Sequence, residues 1–228
     1  MKVRIARLCT HDDPVPCEST RQQTEEYTPF MDDITTTRPA GARRADAQRN
    51  RQLLLEVAIE LILRAGGEPS RDAIAERAGV GIATLYRHFP DRQALLDAVA
   101  RHALERSISA GEAILQGVSD GVDALRQYMH AALDNGIGVV NIIHPLLEQR
   151  DWPDLRARAA ALLETLVARA ARDAKLQRSD ISERDIVFAT IRFARPLAIG
   201  LPASEERAIA HRHLDCYIDG LCGRKGRS

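Results

Sequence analysis

The chain has 228 residues, of which 32 are basic and 32 acidic, so it carries no net charge at pH 7. Its 45% hydrophobic and 28% charged residues exclude wholesale disorder, and the length allows one large or two small domains. No apolar run approaches the roughly 20 residues of a membrane-spanning helix, and the first residues lack the apolar core of a signal peptide. The four cysteines form no disulfide framework, so we expect a cytoplasmic protein.

Residues 1–45 differ from the rest, because they contain four prolines and no sustained helical period. We expect a disordered arm there, within which Met31 is an alternative start. The end of the arm is basic: between Arg38 and Arg51 there are five arginines and one acid, a local charge of +4. If the partner is a nucleic acid, positive charge must be concentrated in such places.

From Ala45 onward the apolar residues recur at helical spacing, beginning with a stripe that includes Leu54 and Ile62. Ser70 and Asp91 are natural N-caps of later helices. We find no strand alternation, and Ala, Leu, Arg and Glu, which favour helices, are abundant. The sequence therefore predicts an all-α fold, with further helices near residues 107–117, 121–135, 137–149, 153–175, 182–199 and 204–222.

Residues 69–92, PSRDAIAERAGVGIATLYRHFPDR, have the spacing of a helix-turn-helix. Ala75 is small enough for two helices to cross closely, Gly79 allows a positive φ in the turn, and Leu85 fills the angle between the helices. The second helix of such a motif enters the major groove of DNA. This combination of constraints favours a DNA-binding protein.

The segment GVGIATLYRHFPDRQALLDAV, preceded by IAERA, resembles the DNA-binding domain of TetR/AcrR-type bacterial transcriptional regulators. The resemblance is strong over residues 46–105 and extends weakly to RPLAIGLPASEERAIAHRHLDCYIDGL near the C-terminus. It implies an N-terminal helix-turn-helix domain over residues 46–105, a helical bundle over 106–222 for ligand binding and dimerisation, and a tail over 223–228. It also implies a homodimeric repressor without a cofactor, which binds a palindromic operator and is released by a small-molecule inducer.

The resemblance places the recognition helix at residues 81–88, with its first turn towards the base edges. The residues expected at the DNA are Arg43, Arg44, Ser70, Arg71, Gly81, Ile82, Ala83, Thr84, Tyr86, Arg87, His88 and Arg92. Within this set, the family pattern assigns phosphate contacts to Ser70, Arg71, Tyr86, His88 and Arg92.

The sequence departs from the family pattern at Gly81, where many members have Ser, and at Ala83, which replaces a usual Gly. Hydrogen bonding from the first turn is therefore limited, and recognition would depend on apolar contacts, Arg87 and the shape of the DNA. The cluster of Arg38, Arg43 and Arg44 would enter a minor groove. Read alone, these arginines also fit a solvated tail, Tyr86 fits either a core or a contact position, and Phe89 fits the core.

The second half of the chain is expected to hold the inducer and the partner subunit. The candidate pocket residues are the bulky or polarisable side chains Met129, His144, Trp152, Phe188 and Phe193. The candidate dimer interface is the apolar stripe of Ala210, Leu214, Tyr217, Ile218 and Leu221, which alternatively packs within its own subunit.

Two other kinds of protein are alternatives. A redox-responsive regulator would use Cys216, for example across a dimer, although a buried structural cysteine fits the pattern better. A helical-bundle enzyme is the other alternative, but the chain lacks HExxH, GxSxG and phosphate-binding glycine motifs. His211 and His213 lie two residues apart, so on a helix they point in different directions and cannot share a metal ion. We therefore predict a regulator and not an enzyme.

Overall fold

The computed structural model describes residues 40–148, 151–173, 176, 180–197 and 200–223, all within one compact unit. In these ranges the chain forms helices and no strand, which confirms the all-α prediction. The helices are α1 (Ala40–Ala65), α2 (Arg71–Arg77), α3 (Ile82–His88), α4 (Arg92–Gly117), α5 (Gly121–Asp134), α6 (Gly138–Ile143), α7 (Pro153–Arg172), α8 (Glu183–Ala194) and α9 (Ala203–Leu221). A short 3-10 helix, His144–Leu146, follows α6.

The first three helices and the start of α4 share a small apolar core. Leu54 and Ile62 of α1 are buried, as their spacing predicted, and they lie in the same core as Ile74 of α2 and Leu85 of α3. Phe89, directly after α3, is also buried. The core therefore fixes α2 and α3 against α1 by their inner faces.

Helices α4 to α9 form the larger bundle. α5 packs against α4, α7, α8 and α9, while α6 contacts α1, α4 and α8. Met129, Leu166, Ile186 and Leu214 are fully buried, one from each of α5, α7, α8 and α9. The bundle is thus continuous with the N-terminal helices through α1, α4 and α6.

The prediction of a separate helix near residues 107–117 is wrong, because α4 runs unbroken from Arg92 to Gly117. Ser107 is buried in the middle of the helix, and its hydroxyl donates to the carbonyl of Ala103 at 2.9 Å. A serine that bonds the carbonyl four residues earlier can be buried without breaking a helix. α4 is therefore one rod that extends from the helix-turn-helix into the bundle.

The predicted disordered arm also ends too late, because α1 begins at Ala40. Residues 41–50 contain alanine, arginine and glutamine, which favour a helix, and Arg49 pairs with Asp46 one turn away. Arg43 and Arg44 consequently lie on a helix. Arg38 and the rest of the predicted arm lie outside the described residues.

Two helices are shorter than predicted because of proline. Pro145 lies in the 3-10 helix that ends the segment predicted as 137–149, since proline lacks an N–H and clashes with the preceding turn. Pro196 likewise limits α8, because the residue before a proline is driven to extended backbone and Arg195 has ψ 122°. The other boundaries lie within three residues of the prediction.

Candidate nucleic-acid interface

The turn between α2 and α3 has the conformation that the sequence predicted. Gly79 has a φ of 66°, in the left-handed region. Its position lets the Val80 N–H donate to the carbonyl of Ala75 at 3.0 Å, which closes the end of α2. α3 then begins after Gly81, its N-cap residue, whose backbone is extended. The two short helices are therefore joined by a tight turn.

α3 has a buried side and an exposed side. Leu85 is 0% exposed, and Phe89 after the helix is also buried. On the other side Gly81, Ala83, Tyr86 and Arg87 are exposed, while Ile82, Thr84 and His88 are partly buried. The core anchors the helix and leaves its first turn and outer face available to a groove.

The start of α2 lies beside this outer face. Ser70 caps α2, because its side-chain oxygen accepts from the N–H of Ala73 at 3.1 Å. The guanidinium carbon of Arg71 lies 4.7 Å from the centre of the Tyr86 ring, a cation–π contact between α2 and α3. Tyr86 is 44% exposed, so it is a surface residue and not part of the core. Three of the predicted phosphate contacts are therefore neighbours.

Arg92, at the start of α4, is held by a carboxylate that the sequence analysis did not identify. Its Nε lies 2.9 Å from both carboxylate oxygens of Glu68, and its Nη2 lies 2.5 Å from Oε2. This hydrogen bonding and the charge of Glu68 raise the pKa of Arg92 above its ordinary value. Arg92 can contact a phosphate only by sharing or leaving Glu68, and nothing in the sequence spacing indicated this pair.

The surroundings of His88, at the end of α3, favour the neutral form of its ring. Burial lowers its pKa, and the nearby guanidinium groups of Arg51 and Arg87 lower it further. A cleft of about 390 Å³ lies behind it, lined by residues of α1 and α4 that include Arg51 and His102.

The predicted inducer residues do not share one environment. Met129 is fully buried, His144 is exposed on the 3-10 helix, and Phe188 is 67% exposed on α8. Trp152 is buried and its Nε1 donates to Asp97 of α4 at 2.8 Å. Phe193 lies with its ring 5.9 Å from that of Tyr217. The structure thus brings no pocket together from this set.

The predicted dimer stripe is mostly covered within its own subunit, the alternative that the sequence left open. Leu214, Ile218 and Leu221 are buried, and Ala210 and Tyr217 are partly buried. The largest exposed apolar side chain on α8 and α9 is instead Phe188. The stripe is therefore partly covered in the single subunit, and its part in a dimer stays a prediction.

Cys216, the candidate residue of a redox-responsive regulator, is exposed on α9. Over the described ranges, no helix is both long enough and apolar enough to cross a membrane.

Comparison with known proteins places this geometry among bacterial regulators. The profile of bacterial regulatory proteins of the tetR family matches residues 54–99, which include α2, α3 and the turn between them. An HTH-type transcriptional regulator of Staphylococcus aureus is 32% identical over 92 residues, which are 40% of this chain and 48% of that protein. The chain thus spans about half the length of these curated relatives.

Solved structures resemble nearly the whole described chain. A TetR transcription regulatory protein from Mycobacterium vanbaalenii is 30% identical with a TM-score of 0.55, covering 79% of this chain and 99% of that one. A TetR transcriptional regulator from Streptomyces coelicolor is 29% identical with a TM-score of 0.56, covering 75% and 98%. The TetR-like regulator LfrR from Mycobacterium smegmatis, solved with proflavine, is 25% identical with a TM-score of 0.53, covering 77% and 97%. These matches confirm the prediction of a regulator rather than an enzyme.

Proposed function

Since the chain belongs to the TetR family of transcriptional regulators, we propose that it is a repressor that binds a palindromic operator as a homodimer. The observation that supports this proposal most is the placement of α3: Leu85 is buried on its inner side, while Ala83, Tyr86 and Arg87 are exposed on its outer side. A protein that acts on chromosomal DNA works in the cytoplasm, which is the location we infer.

In the proposed complex the first turn of α3 enters the major groove. Ile82 offers an apolar contact to a thymine methyl group, and the hydroxyl of Thr84 bonds a base or a phosphate. Gly81 and Ala83 bring the backbone close to the bases without adding donors. Arg87, exposed one turn later, is the strongest hydrogen-bonding group on this face.

Phosphate contacts would surround the recognition helix. Ser70 uses its oxygen to cap α2, but its O–H remains able to donate to a phosphate. Arg71 and Tyr86 approach the same strand as a pair because they are already in contact. His88 and Arg92 complete the set at the other end of α3. Such contacts fix the position of the protein on the duplex but do not specify sequence.

The basic start of α1 is a second proposed contact. Arg43 and Arg44 are exposed on a helix rather than on a flexible arm. A helix presents these side chains at fixed positions, so they fit the phosphate edge of the groove better than the interior of a minor groove. Arg49 is already paired with Asp46 and is a weaker candidate.

The homodimer would form through α8 and α9 around a two-fold axis. Phe188 is exposed at the middle of α8, and an aromatic residue of this kind is a common centre of a protein interface. A two-fold dimer places its two recognition helices about 34–36 Å apart, so that they fit successive major grooves. The palindromic form of the operator follows from this symmetry.

We infer that a small-molecule ligand controls the spacing of the two recognition helices. The related regulator LfrR was solved with proflavine, so a small-molecule ligand is consistent with the fold. α4 is the structural link, because it runs unbroken from beside the helix-turn-helix to the far end of the bundle. A ligand that favours one tilt of α4 would shift the population towards a state that no longer fits DNA.

Binding-site selection with purified protein and genomic fragments tests this function. We expect a palindrome, bound much more tightly than other fragments at physiological salt. Arg87→Ala should weaken binding to that site by about 1–3 kcal/mol, measured by fluorescence anisotropy, because it removes the main donor of α3.

Arg172→Ala is the matched control, since Arg172 is exposed at the end of α7 in the bundle. It should leave affinity unchanged. Equally weak binding to every fragment, or an Arg87→Ala variant as tight as the wild type, would contradict the proposal.

A further inference from the structure

Two histidines far apart in sequence meet between α5 and α9. His130 of α5 and His211 of α9 face each other with their Nδ1 atoms 2.5 Å apart. Both rings are partly buried. A nitrogen–nitrogen distance this short requires something positive between the two atoms, because two lone pairs at that distance repel each other.

The two rings lie edge to edge. Their planes differ by 15° and their centres are 4.8 Å apart. The distance between ring centres exceeds the Nδ1–Nδ1 distance by about the diameter of one imidazole ring. That difference is expected when the two centres and the two Nδ1 atoms lie on one line, so each nitrogen points directly at the other. The Nδ1 lone pairs, which lie in the ring planes, are therefore collinear and suited to share a hydrogen.

The outer nitrogens of the pair each meet a carboxylate. Nε2 of His130 lies 3.0 Å from Oδ1 of Asp215, and Nε2 of His211 lies 3.0 Å from Oδ1 of Asp134. Burial alone would raise the pKa of Asp215, but hydrogen bonds from His130 and Arg126 outweigh it and lower the pKa. An ionised carboxylate only accepts hydrogen bonds, so the facing Nε2 atoms must carry the hydrogens.

The number of hydrogen bonds determines the protonation state of the two histidines. Two outer bonds and one inner bond require three hydrogens on four nitrogens, whereas two neutral histidines carry only two. We propose that His130 and His211 bind one shared proton, and that this proton fastens α9 to α5. If the pair carries one hydrogen fewer, one of the three hydrogen bonds is lost. If it carries one more, both Nδ1 atoms bear an N–H group and the two groups repel each other.

The charged groups around the pair favour a single positive charge. Arg126 of α5 bonds Asp215 at 2.6 Å and Asp219 at 2.5 Å, so it holds the carboxylate that faces His130. α8 also packs on α5 and α9, but its described residues give neither ring a hydrogen bond or an ion pair. One shared proton is thus enclosed by aspartates at both ends.

The shared proton gives the attachment of α9 a pH optimum. Histidines in an unfolded chain titrate at about pH 6.5. Below it the unfolded pair holds up to two protons and the folded pair one, so stability falls as pH decreases. Above it the unfolded pair holds none and the folded pair still one, so stability falls as pH increases. A single histidine beside a carboxylate would produce only the second effect.

Proton uptake on unfolding tests the proposal. At about pH 5, unfolding of the wild type should take up about one proton more than unfolding of His211→Gln, because only the pair excludes a second proton. His213→Gln is the matched control, since His213 lies exposed on the same helix. It should behave as the wild type does.

A second measurement uses the wild-type protein, so it tests the proposal even if the His211→Gln variant does not fold. In the wild-type protein with nitrogen-15 in its histidines, we expect one strongly deshielded proton coupled to Nδ1 of two rings at neutral pH. Two rings that titrate independently without such a proton would overturn the proposal. A melting temperature that falls with a chelator and rises with zinc would also overturn it, because the bridge would then be a metal ion.

Discussion

Two glycines lie on either side of Val80 in the turn before the recognition helix, and they differ in the sign of φ. Gly79 has a φ of 66°, whereas Gly81 has a φ of −65°. A Cβ added at either position would meet no atom within 4 Å. The backbone conformation alone therefore distinguishes them.

We predict that Gly79→Ala lowers the free energy of unfolding by about 1–2 kcal/mol, because a side chain in the left-handed region is strained. Gly81→Ala is the matched control and should cost far less, as it adds the same atoms at an ordinary φ. Urea unfolding monitored by circular dichroism measures both. Equal effects of the two substitutions would show that the turn does not depend on the conformation of Gly79.

At the residue scale, the sequence predicted features that depend on near neighbours. The caps at Ser70 and Asp91 and the positive φ of Gly79 follow from chemistry within four residues, and the structure confirms all three. It did not predict the contact of Arg92 with Glu68, 24 residues away, or that of His130 with His211. Such pairs depend on the angles between helices, which a single sequence does not specify.

At the element scale, the sequence predicted some helix boundaries, such as the start of α7 at Pro153, and missed others. No local signal joined the halves of α4, because its middle contains a buried serine that is satisfied by its own helix. Pro145 and Pro196 each indicated the end of a helix. These ends were missed because apolar residues continue at helical spacing on both sides of each proline. The spacing of apolar residues therefore predicts the buried face of a helix more reliably than the residues at which the helix begins and ends.

The contact between the loop before α2 and the start of α4 leads to a functional prediction. Glu68 neutralises Arg92 at the surface that we propose meets phosphates. Glu68→Gln should free the guanidinium and remove a negative charge from the interface. We expect tighter DNA binding and a salt dependence steeper by about one phosphate contact, a slope change of about 0.9.

Fluorescence anisotropy against the selected site over a series of salt concentrations measures both quantities. The matched control is Glu164→Gln, which removes the same charge from an exposed position on α7. It should change neither affinity nor slope. If both variants bind more tightly by the same amount, general charge and not Arg92 is responsible.

At the scale of the whole molecule, the face of α9 was predicted but its partner was not. The stripe of Leu214, Ile218 and Leu221 is apolar, as predicted, and it is covered by the same subunit. The spacing of apolar residues along a helix shows that one face must be buried. It does not show whether a helix of the same chain or a helix of a second copy covers that face. The exposed face of α8 then becomes the candidate for contact between subunits.

We predict that Phe188→Glu converts the dimer to monomers, because it places a charge at the centre of the proposed interface. Loss of a central aromatic contact typically costs about 2 kcal/mol or more, which raises the dissociation constant at least about tenfold. Phe188 is 67% exposed in the single subunit, so circular dichroism and melting of the monomer should stay close to wild type. Leu53→Glu, a change at a residue of α1 that is 40% exposed, is the control and should leave the dimer intact in sedimentation. If the Phe188→Glu protein forms a dimer with an unchanged dissociation constant, the contact between subunits lies elsewhere. In a two-fold interface the substitution is present twice, and two buried charges would weaken the dimer.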